Sequence, residues 1–141
     1  MSVDVNYVAV LVSAIVAMVI GFLWYGPVFG KKWIALMKFT PEDMMAAKAK
    51  GMGKQYALTF VGSLVSAYVL WYVIAFTFGF YQQSGVWCGL STAFMIWFGF
   101  ILPLMVGQVL WDGKSWALFW LNTCYHLVNL LVMGAIMAAW I

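Results

Sequence analysis

The chain has 141 residues, of which 67% are hydrophobic and 8% are charged, and it carries a formal net charge of +3. An ordinary soluble domain carries about 25% charged residues, and a domain this short has too little interior to hide so much apolar surface. The composition excludes a conventional soluble domain and predicts a single all-α domain, residues 1–141, in a lipid bilayer.

Four stretches are long and apolar enough to cross a bilayer, because about 20 helical residues at about 1.5 Å each span the hydrocarbon. They lie at about residues 5–25, 56–78, 86–111 and 115–140, and none has a charged residue in its interior. The sequence therefore predicts an integral membrane four-helix bundle with a short cytoplasmic amphipathic or helical connection between spans one and two.

The first span carries small residues at four-residue intervals, namely Ala9, Ser13, Ala17 and Gly21. Such a stripe lies on one face of a helix and lets a second backbone approach closely, which is how helices pack in lipid. A cleaved signal peptide begins with a positive region, whereas Asp4 precedes this span and the lysines follow it. We therefore expect an uncleaved first span.

The connection after span one is predicted to be structured. Gly26-Pro27 should end the first helix, since proline disfavours a helical conformation in the residue before it. Apolar residues interspersed with lysines then predict a short helix in the interface. We expect anionic lipid headgroups to bind the three lysines of this helix, which are Lys31, Lys32 and Lys38.

A second short helix should follow, with Thr40 as its cap, Pro41 in its first turn and Gly51 or Gly53 at its end. Its charged residues favour a solvated connector. A docking surface for a cytoplasmic partner is the alternative interpretation.

Small residues recur in the later spans, and we expect each set to mark a packing face. The sets are Gly62 with Ser66 and Ser63 with Ala67 in span two, Gly99 with Pro103 and Gly107 in span three, and Gly134 with Ala138 in span four. Pro103 should also kink the third span, because its ring displaces a backbone hydrogen bond. Trp97 falls near mid-membrane, away from the interfacial aromatic belt, and should face lipid or a neighbouring helix.

The fourth span carries three polar residues in a strongly apolar stretch. Asn122, His126 and Asn129 follow an i, i+4, i+7 spacing and share one helical face. Gln108 of the third span lies at a depth similar to that of Asn122. These four residues form the candidate binding face, and they should point into the bundle or a subunit interface, because unsatisfied polar groups are costly in lipid.

Three interpretations of this polar face remain open. The first is hydrogen bonding between helices, which is common in membranes. The second is a ligand, proton or ion path, because intramembrane ionisable groups mark such paths. The third is an axial haem ligand at His126.

Other chemistry finds little support in the sequence. Cys88 and Cys124 should lie at different depths, which argues against a disulfide, and two cysteines with one histidine fall short of a structural zinc site. There is no serine–histidine–carboxylate set and no glycine-rich phosphate loop. We predict no catalytic residue, no metal, no cofactor and no enzymatic activity.

The lysines predict the orientation. Six of the seven lie between the first two spans, and Lys114 lies between the last two. Because lysines are retained on the cytoplasmic side, we expect a multi-pass protein of the cell inner (plasma) membrane with both termini outside. The lysines flank spans and form no basic face, so no nucleic-acid partner is predicted.

Two segments carry a family resemblance, "NYVAVLVSAIVAMVIGFLWYGPVFGKKW" from Asn6 and the ending "NTCYHLVNLLVMGAIMAAW". They resemble a domain-of-unknown-function family of small prokaryotic four-span membrane proteins. The likeness covers nearly the whole chain, and "LWYGPVFGKKW" is its most specific part. The resemblance implies a membrane scaffold without an assigned reaction and brings no catalytic residues.

These features predict a non-catalytic membrane component, either a homo-oligomer or an accessory subunit of a membrane protein partner. Four helices bury little alone, so the small-residue faces favour self-association. The alternative is a small transporter or channel whose path the polar face lines.

Overall fold

The computed structural model describes residues 3–141, which form an all-α helical bundle with no strand among them. Four of its helices are long and apolar enough to cross a membrane, and they are Tyr7–Val28, Gly53–Tyr81, Val86–Leu110 and Trp116–Trp140. The predicted fold class and the four predicted spans are confirmed. Met1 and Ser2, the first two residues of the predicted domain, lie outside the described residues.

Seven α-helices build these spans and their connections. In chain order they are α1 (Tyr7–Leu23), α2 (Gly30–Met37), α3 (Pro41–Lys50), α4 (Gly53–Tyr81), α5 (Val86–Ile96), α6 (Leu102–Leu110) and α7 (Trp116–Trp140). A π-helical turn, Trp24–Val28, follows α1, and a second, Trp97–Ile101, joins α5 to α6.

The four spans surround a common axis in chain order. Helix α1 packs on α4 and α7, and α5 packs on the same two helices. One apolar core joins spans one, two and four, and it consists of Ala9, Val10, Ala17, Ala67, Leu70, Trp71, Ile74, Met133, Met137 and Ala138. We name the two ends of the bundle by their charge: α2, α3 and Lys114 mark the lysine end, and the turn between α4 and α5 marks the lysine-free end.

The small residues of span one lie where the spacing predicts. Ala9, Ser13 and Ala17 are fully buried, and a Cβ added at Gly21 would lie 3.1 Å from the hydroxyl oxygen of Tyr125 on α7. The pair in span four, Gly134 with Ala138, is also buried. The absence of larger side chains lets these helices approach closely.

In span two, Ala67 of the pair Ser63 with Ala67 is fully buried, whereas the pair Gly62 with Ser66 and the span-three set that begins at Gly99 are not packing faces within this chain. Gly62 and Gly99 are exposed, and a Cβ added at either would meet no atom within 4 Å. All buried residues of α4 lie between Ala67 and Ile74, and α6 has none. Spans two and three therefore pack tightly only toward the lysine-free end, which leaves their small residues at the lysine end uncovered.

The tightest helix contact in the bundle involves Gly89, which the sequence pattern did not single out. A Cβ added at Gly89 would collide with the carbonyl oxygen of Gly134, and one at Gly134 would lie 2.6 Å from the carbonyl oxygen of Gly89. Ala93, four residues after Gly89, lies 3.1 Å from the same Gly134 position. Gly89 and Ala93 thus form the small pair that seats α5 on α7.

The predicted end of the first helix at Gly26-Pro27 is also wrong. The helix continues through Val28 as a π-helical turn that contains Pro27. The N–H of Phe29 donates to the carbonyl oxygen of Trp24 at 2.9 Å. This wider hydrogen bond bypasses the donor that proline lacks. In span three, the second π-helical turn, Trp97–Ile101, ends two residues before Pro103.

The connection between spans one and two is helical, as predicted. Lys31 and Lys32 are exposed on α2, and Lys38 ends that helix with a φ of 58°. A capping box begins α3: the N–H of Asp43 donates to the Thr40 hydroxyl oxygen at 3.1 Å, and the Thr40 N–H donates to the Asp43 carboxylate at 2.9 Å. Helix α3 ends at Gly51, whose φ is 75°.

Candidate functional site on the fourth span

The polar face of α7 lies partly inside the bundle. Ser115 sets the start of α7, because its hydroxyl oxygen accepts the N–H of Leu118 at 3.2 Å. Asn122, His126 and Asn129 follow on one side of this helix and are all half-buried. They therefore avoid full exposure to lipid, as expected of polar groups at this depth.

Asn122 is held by a residue of span one. Its side-chain oxygen accepts the hydroxyl of Tyr25 at 2.8 Å. Gln108, the partner that depth alone indicated, is half-buried on α6 and makes no side-chain hydrogen bond within residues 3–141. The structure thus pairs Asn122 with the π-helical turn at Trp24–Val28 instead of with Gln108.

Aromatic side chains surround the Asn122–Tyr25 hydrogen bond. The ring of Tyr125 lies edge-on to that of Tyr25, with centroids 5.0 Å apart, and Trp33 of α2 lies on Tyr25 at 5.4 Å. The Trp24 indole N–H donates to the carbonyl oxygen of Leu121 at 3.2 Å. We call Trp24, Tyr25, Trp33 and Tyr125 the aromatic cluster; it fixes α1 and α2 to the beginning of α7.

His126 sits beside this cluster. Its ring centroid is 5.0 Å from that of Tyr125, and its side chain makes no hydrogen bond in the part of the chain that the structure describes.

Trp97, the first residue of the π-helical turn Trp97–Ile101, also contacts α7. It is 7% exposed and donates its indole N–H to the carbonyl oxygen of Thr123 at 2.8 Å. Of the two orientations expected for Trp97, it takes the one toward a neighbouring helix.

Deeper in the bundle, several polar atoms are buried without a hydrogen-bond partner among the described residues. They are the side-chain oxygens of Ser13, Thr92, Thr123 and Asn129. Helices α1 and α7 run antiparallel, and Gly21 lies on Tyr125. Counting one turn along each helix places Asn129 level with Ala17, so this polar atom lies about 6 Å beyond the aromatic cluster.

The site offers no evident metal centre. No group of three or more His, Cys, Asp or Glu side chains is placed to hold a metal ion between residues 3 and 141. Cys88 and Cys124 are both free thiols. What the arrangement provides is one imidazole, two amides and several aromatic hydroxyl and indole groups. Of these, Asn122 with Tyr25, the Trp24 indole and the Trp97 indole form hydrogen bonds between spans.

The sequence pattern singled out the polar residues but missed the aromatic residues that engage them. Trp24 and Tyr25 lie in "LWYGP", within the most specific part of the family resemblance. That segment was the sequence signal that could have identified these aromatic residues.

Comparison with known proteins gives a family and no activity. A family model described as "Protein of unknown function (DUF1761)" matches residues 8–138. No curated protein and no solved structure matches the chain.

Proposed function

This chain belongs to the DUF1761 family of unknown function, and because that membership carries no activity, we propose from the contacts alone that it is a non-catalytic, self-associating membrane component. The proposal places it in the plasma membrane with the lysine end in the cytoplasm and both termini outside. The positions of the lysines support this orientation, since positive residues favour the cytoplasmic face.

Helix α4 carries the observation that supports self-association. Its buried residues lie on one side, and the opposite side, which we call the free face, is largely exposed. The free face consists of Leu58, Val61, Val65, Tyr68, Val69 and Tyr72, and all but the half-buried Tyr72 are exposed. The hydroxyl oxygens of Tyr68 and Tyr72 lie 3.3 Å apart and bond to each other.

These two hydroxyls lie where lipid cannot satisfy them. Tyr68 is close to the centre of the 29-residue α4, about 20 Å from either end at about 1.5 Å per residue. When one hydroxyl donates to the other, the second O–H still lacks an acceptor, and hydrocarbon offers none. The free face therefore favours a partner with a polar atom at mid-membrane.

A second copy of this chain meets that requirement. Inserted in the same orientation, it presents the same tyrosine pair at the same depth, and a two-fold axis along the membrane normal brings the two pairs together. Each pair then supplies the donor and the acceptor that the other lacks. Gly62 and Ser66 flank the free face and let the two backbones approach.

The test removes the two hydroxyls and keeps the apolar rings. We expect Tyr68→Phe/Tyr72→Phe to weaken dimerisation about 3- to 15-fold, because a hydrogen bond between membrane helices contributes about 0.6 to 1.7 kcal/mol. The measurement is energy transfer between labelled chains as they are diluted with lipid in vesicles. Tyr56→Phe, the same change near the lysine end of α4, is the matched control.

Two results would overturn self-association: a wild-type chain that stays monomeric at every lipid ratio, or a double variant that associates as tightly as Tyr56→Phe. A monomer that retains a different membrane protein after gentle extraction would instead make the chain an accessory subunit.

Anionic lipid is the further partner that we propose, at the lysine end. Lys31, Lys32 and Lys38 are all exposed there, and a lysine near an anionic surface contributes about 1 kcal/mol. Changing the three to glutamine should reduce the retention of phosphatidylglycerol in mass spectra of the extracted protein. Equal retention would remove this part of the proposal.

A small transporter or channel is the second candidate, supported by the half-buried His126 and the unpartnered oxygen of Asn129. His126→Leu separates the two functions. A path predicts lost or pH-independent flux in liposomes with the fold intact. A purely structural face predicts no flux in either protein, retained assembly and a modest loss of thermal stability.

A further inference from the structure

A groove opens at the lysine-free end of the bundle. It has a volume of about 750 Å³ and lies between Asp4, which precedes α1, and the last turns of α4. Volumes of this order accommodate one drug-sized molecule or a lipid segment. The groove is on the opposite end of the bundle from the aromatic cluster, and its Phe76 borders the free face, because the ring centroids of Tyr72 and Phe76 lie 6.1 Å apart.

The backbone at Asp4 is fixed against α4. The indole N–H of Trp71 donates to the carbonyl oxygen of Asp4 at 3.2 Å, and Trp71 is 4% exposed. Two residues later, the side chain of Asn6 accepts the N–H groups of Val8 and Ala9, both at 3.1 Å, and so fixes the start of α1. The exposed Asp4 carboxylate is therefore held at the rim of the groove.

The electrostatics of the groove favour a cation. Within residues 3–141, Asp4 is the only charged side chain near this end, because the seven lysines and the other three acidic residues all lie between residues 31 and 54 or between 112 and 114. Helix α4 ends here at Tyr81, and the carbonyls of a last helical turn carry a partial negative charge of about half an electron. The carboxylate and the helix end act together on whatever enters.

The walls of the groove are aromatic. Phe76 and Phe80 line it together with Tyr81, and Phe80 is 81% exposed. The rings of Phe80 and Tyr81 meet edge-on with centroids 5.0 Å apart. Exposed aromatic faces attract organic ammonium groups and also cover apolar chains.

We propose that this groove binds a membrane lipid with an ammonium headgroup. The ammonium lies at the Asp4 carboxylate beside the end of α4, and the first part of an acyl chain lies along Phe76 and Phe80. A lipid fits better than a ligand from water, because Phe76 and Phe80 are exposed apolar side chains near the end of a helix long and apolar enough to cross a membrane. The single carboxylate, without a lysine nearby, selects against an anionic headgroup.

The test uses the full chain in nanodiscs of equal phosphatidylethanolamine and phosphatidylglycerol, followed by native mass spectrometry of the lipid retained. We expect phosphatidylethanolamine to be retained and Asp4→Asn to reduce its retention about fivefold, the upper range for one exposed ion pair. Glu42→Gln, the same change of charge at the lysine end, should leave it unchanged. Phe80→Leu should weaken retention as well, whereas Phe22→Leu, another exposed phenylalanine, should not.

A soluble competitor distinguishes a lipid from a free cation. Dodecyltrimethylammonium should displace the retained lipid, and the uncharged detergent dodecyl maltoside should not. Retention that is equal for the two lipids, or unchanged in Asp4→Asn with a wild-type circular dichroism spectrum, overturns the site. Binding of dodecyltrimethylammonium without retention of phosphatidylethanolamine overturns the assignment to a lipid.

Discussion

The contact between Gly89 and Gly134 gives the sharpest prediction of stability. A Cβ at Gly89 would collide with the Gly134 carbonyl oxygen and lie 2.7 Å from the Cβ of Ala138. Carbon atoms pack best at about 3.5 to 4.0 Å, so Gly89→Ala must move α5 and α7 apart by about 1 Å along the most extensive interface of the bundle. Overpacking of this kind costs about 1 to 3 kcal/mol.

Part of that cost is offset, because alanine favours a helix over glycine by up to about 1 kcal/mol. We therefore expect Gly89→Ala to lower the free energy of unfolding by about 1 to 2 kcal/mol. The assay is unfolding by sodium dodecyl sulfate in mixed micelles, followed by far-UV circular dichroism. Gly99→Ala is the matched control, because a Cβ there meets no atom within 4 Å.

A second variant tests the cause of the destabilisation. Adding Ala138→Gly to Gly89→Ala removes the side-chain contact and leaves the clash with the backbone of Gly134, so it should restore less than half of the loss. If Gly89→Ala unfolds at the same detergent fraction as Gly99→Ala, the close approach of α5 to α7 is refuted.

Three further predictions concern hydrogen bonds between elements. Tyr25→Phe should destabilise the bundle by about 0.6 to 1.7 kcal/mol in the same unfolding assay, and Asn122→Ala in that background should add little, because the two side chains share the 2.8 Å bond. Trp97→Phe should cost more than Trp24→Phe, because the Trp97 bond is buried and the Trp24 bond is half-buried; equal losses would contradict this ranking. At the start of α3, the Thr40 backbone N–H and hydroxyl hold the pKa of Asp43 below its usual range. The cap therefore stabilises α3 fully above the unfolded pKa of about 3.9. This stabilisation is lost as the pH falls through the lower pKa of the folded state. The protection factors of the α3 amides, which correct for the intrinsic pH dependence of exchange, should fall over that acidic range in the wild type and stay unchanged in Asp43→Asn.

The sequence alone predicted the spans because bilayer thickness and apolar length leave few alternatives. It also predicted α2 and α3, since Thr40, Pro41 and Gly51 are local signals that need no distant partner. The predicted end of the first helix at Pro27 was wrong, because a π-helical turn contains one extra residue and so lets the helix continue past the proline.

Pairings between spans could not be predicted in the same way. A small residue shows that a backbone can approach, but Gly62 and Gly89 look alike in the sequence, and only the second is covered. Similarly, the candidate site was found on α7 by its polarity, whereas the partner of Asn122 is Tyr25, 97 residues away. Which faces meet depends on the relative tilt and register of helices, which one sequence does not encode locally.

Cysteine cross-linking within the membrane tests the central claim most directly, namely that the free face of α4 meets a second copy. The background chain has Cys88 and Cys124 replaced by serine. Val65, on the free face, is 58% exposed, and Val65→Cys should give a disulfide-linked dimer under mild oxidation. Ala67, two residues away, is fully buried, and Ala67→Cys should give none. Leu104→Cys, which is 74% exposed on α6, measures random collision. Cross-linking at position 65 no faster than at position 104 would contradict the account.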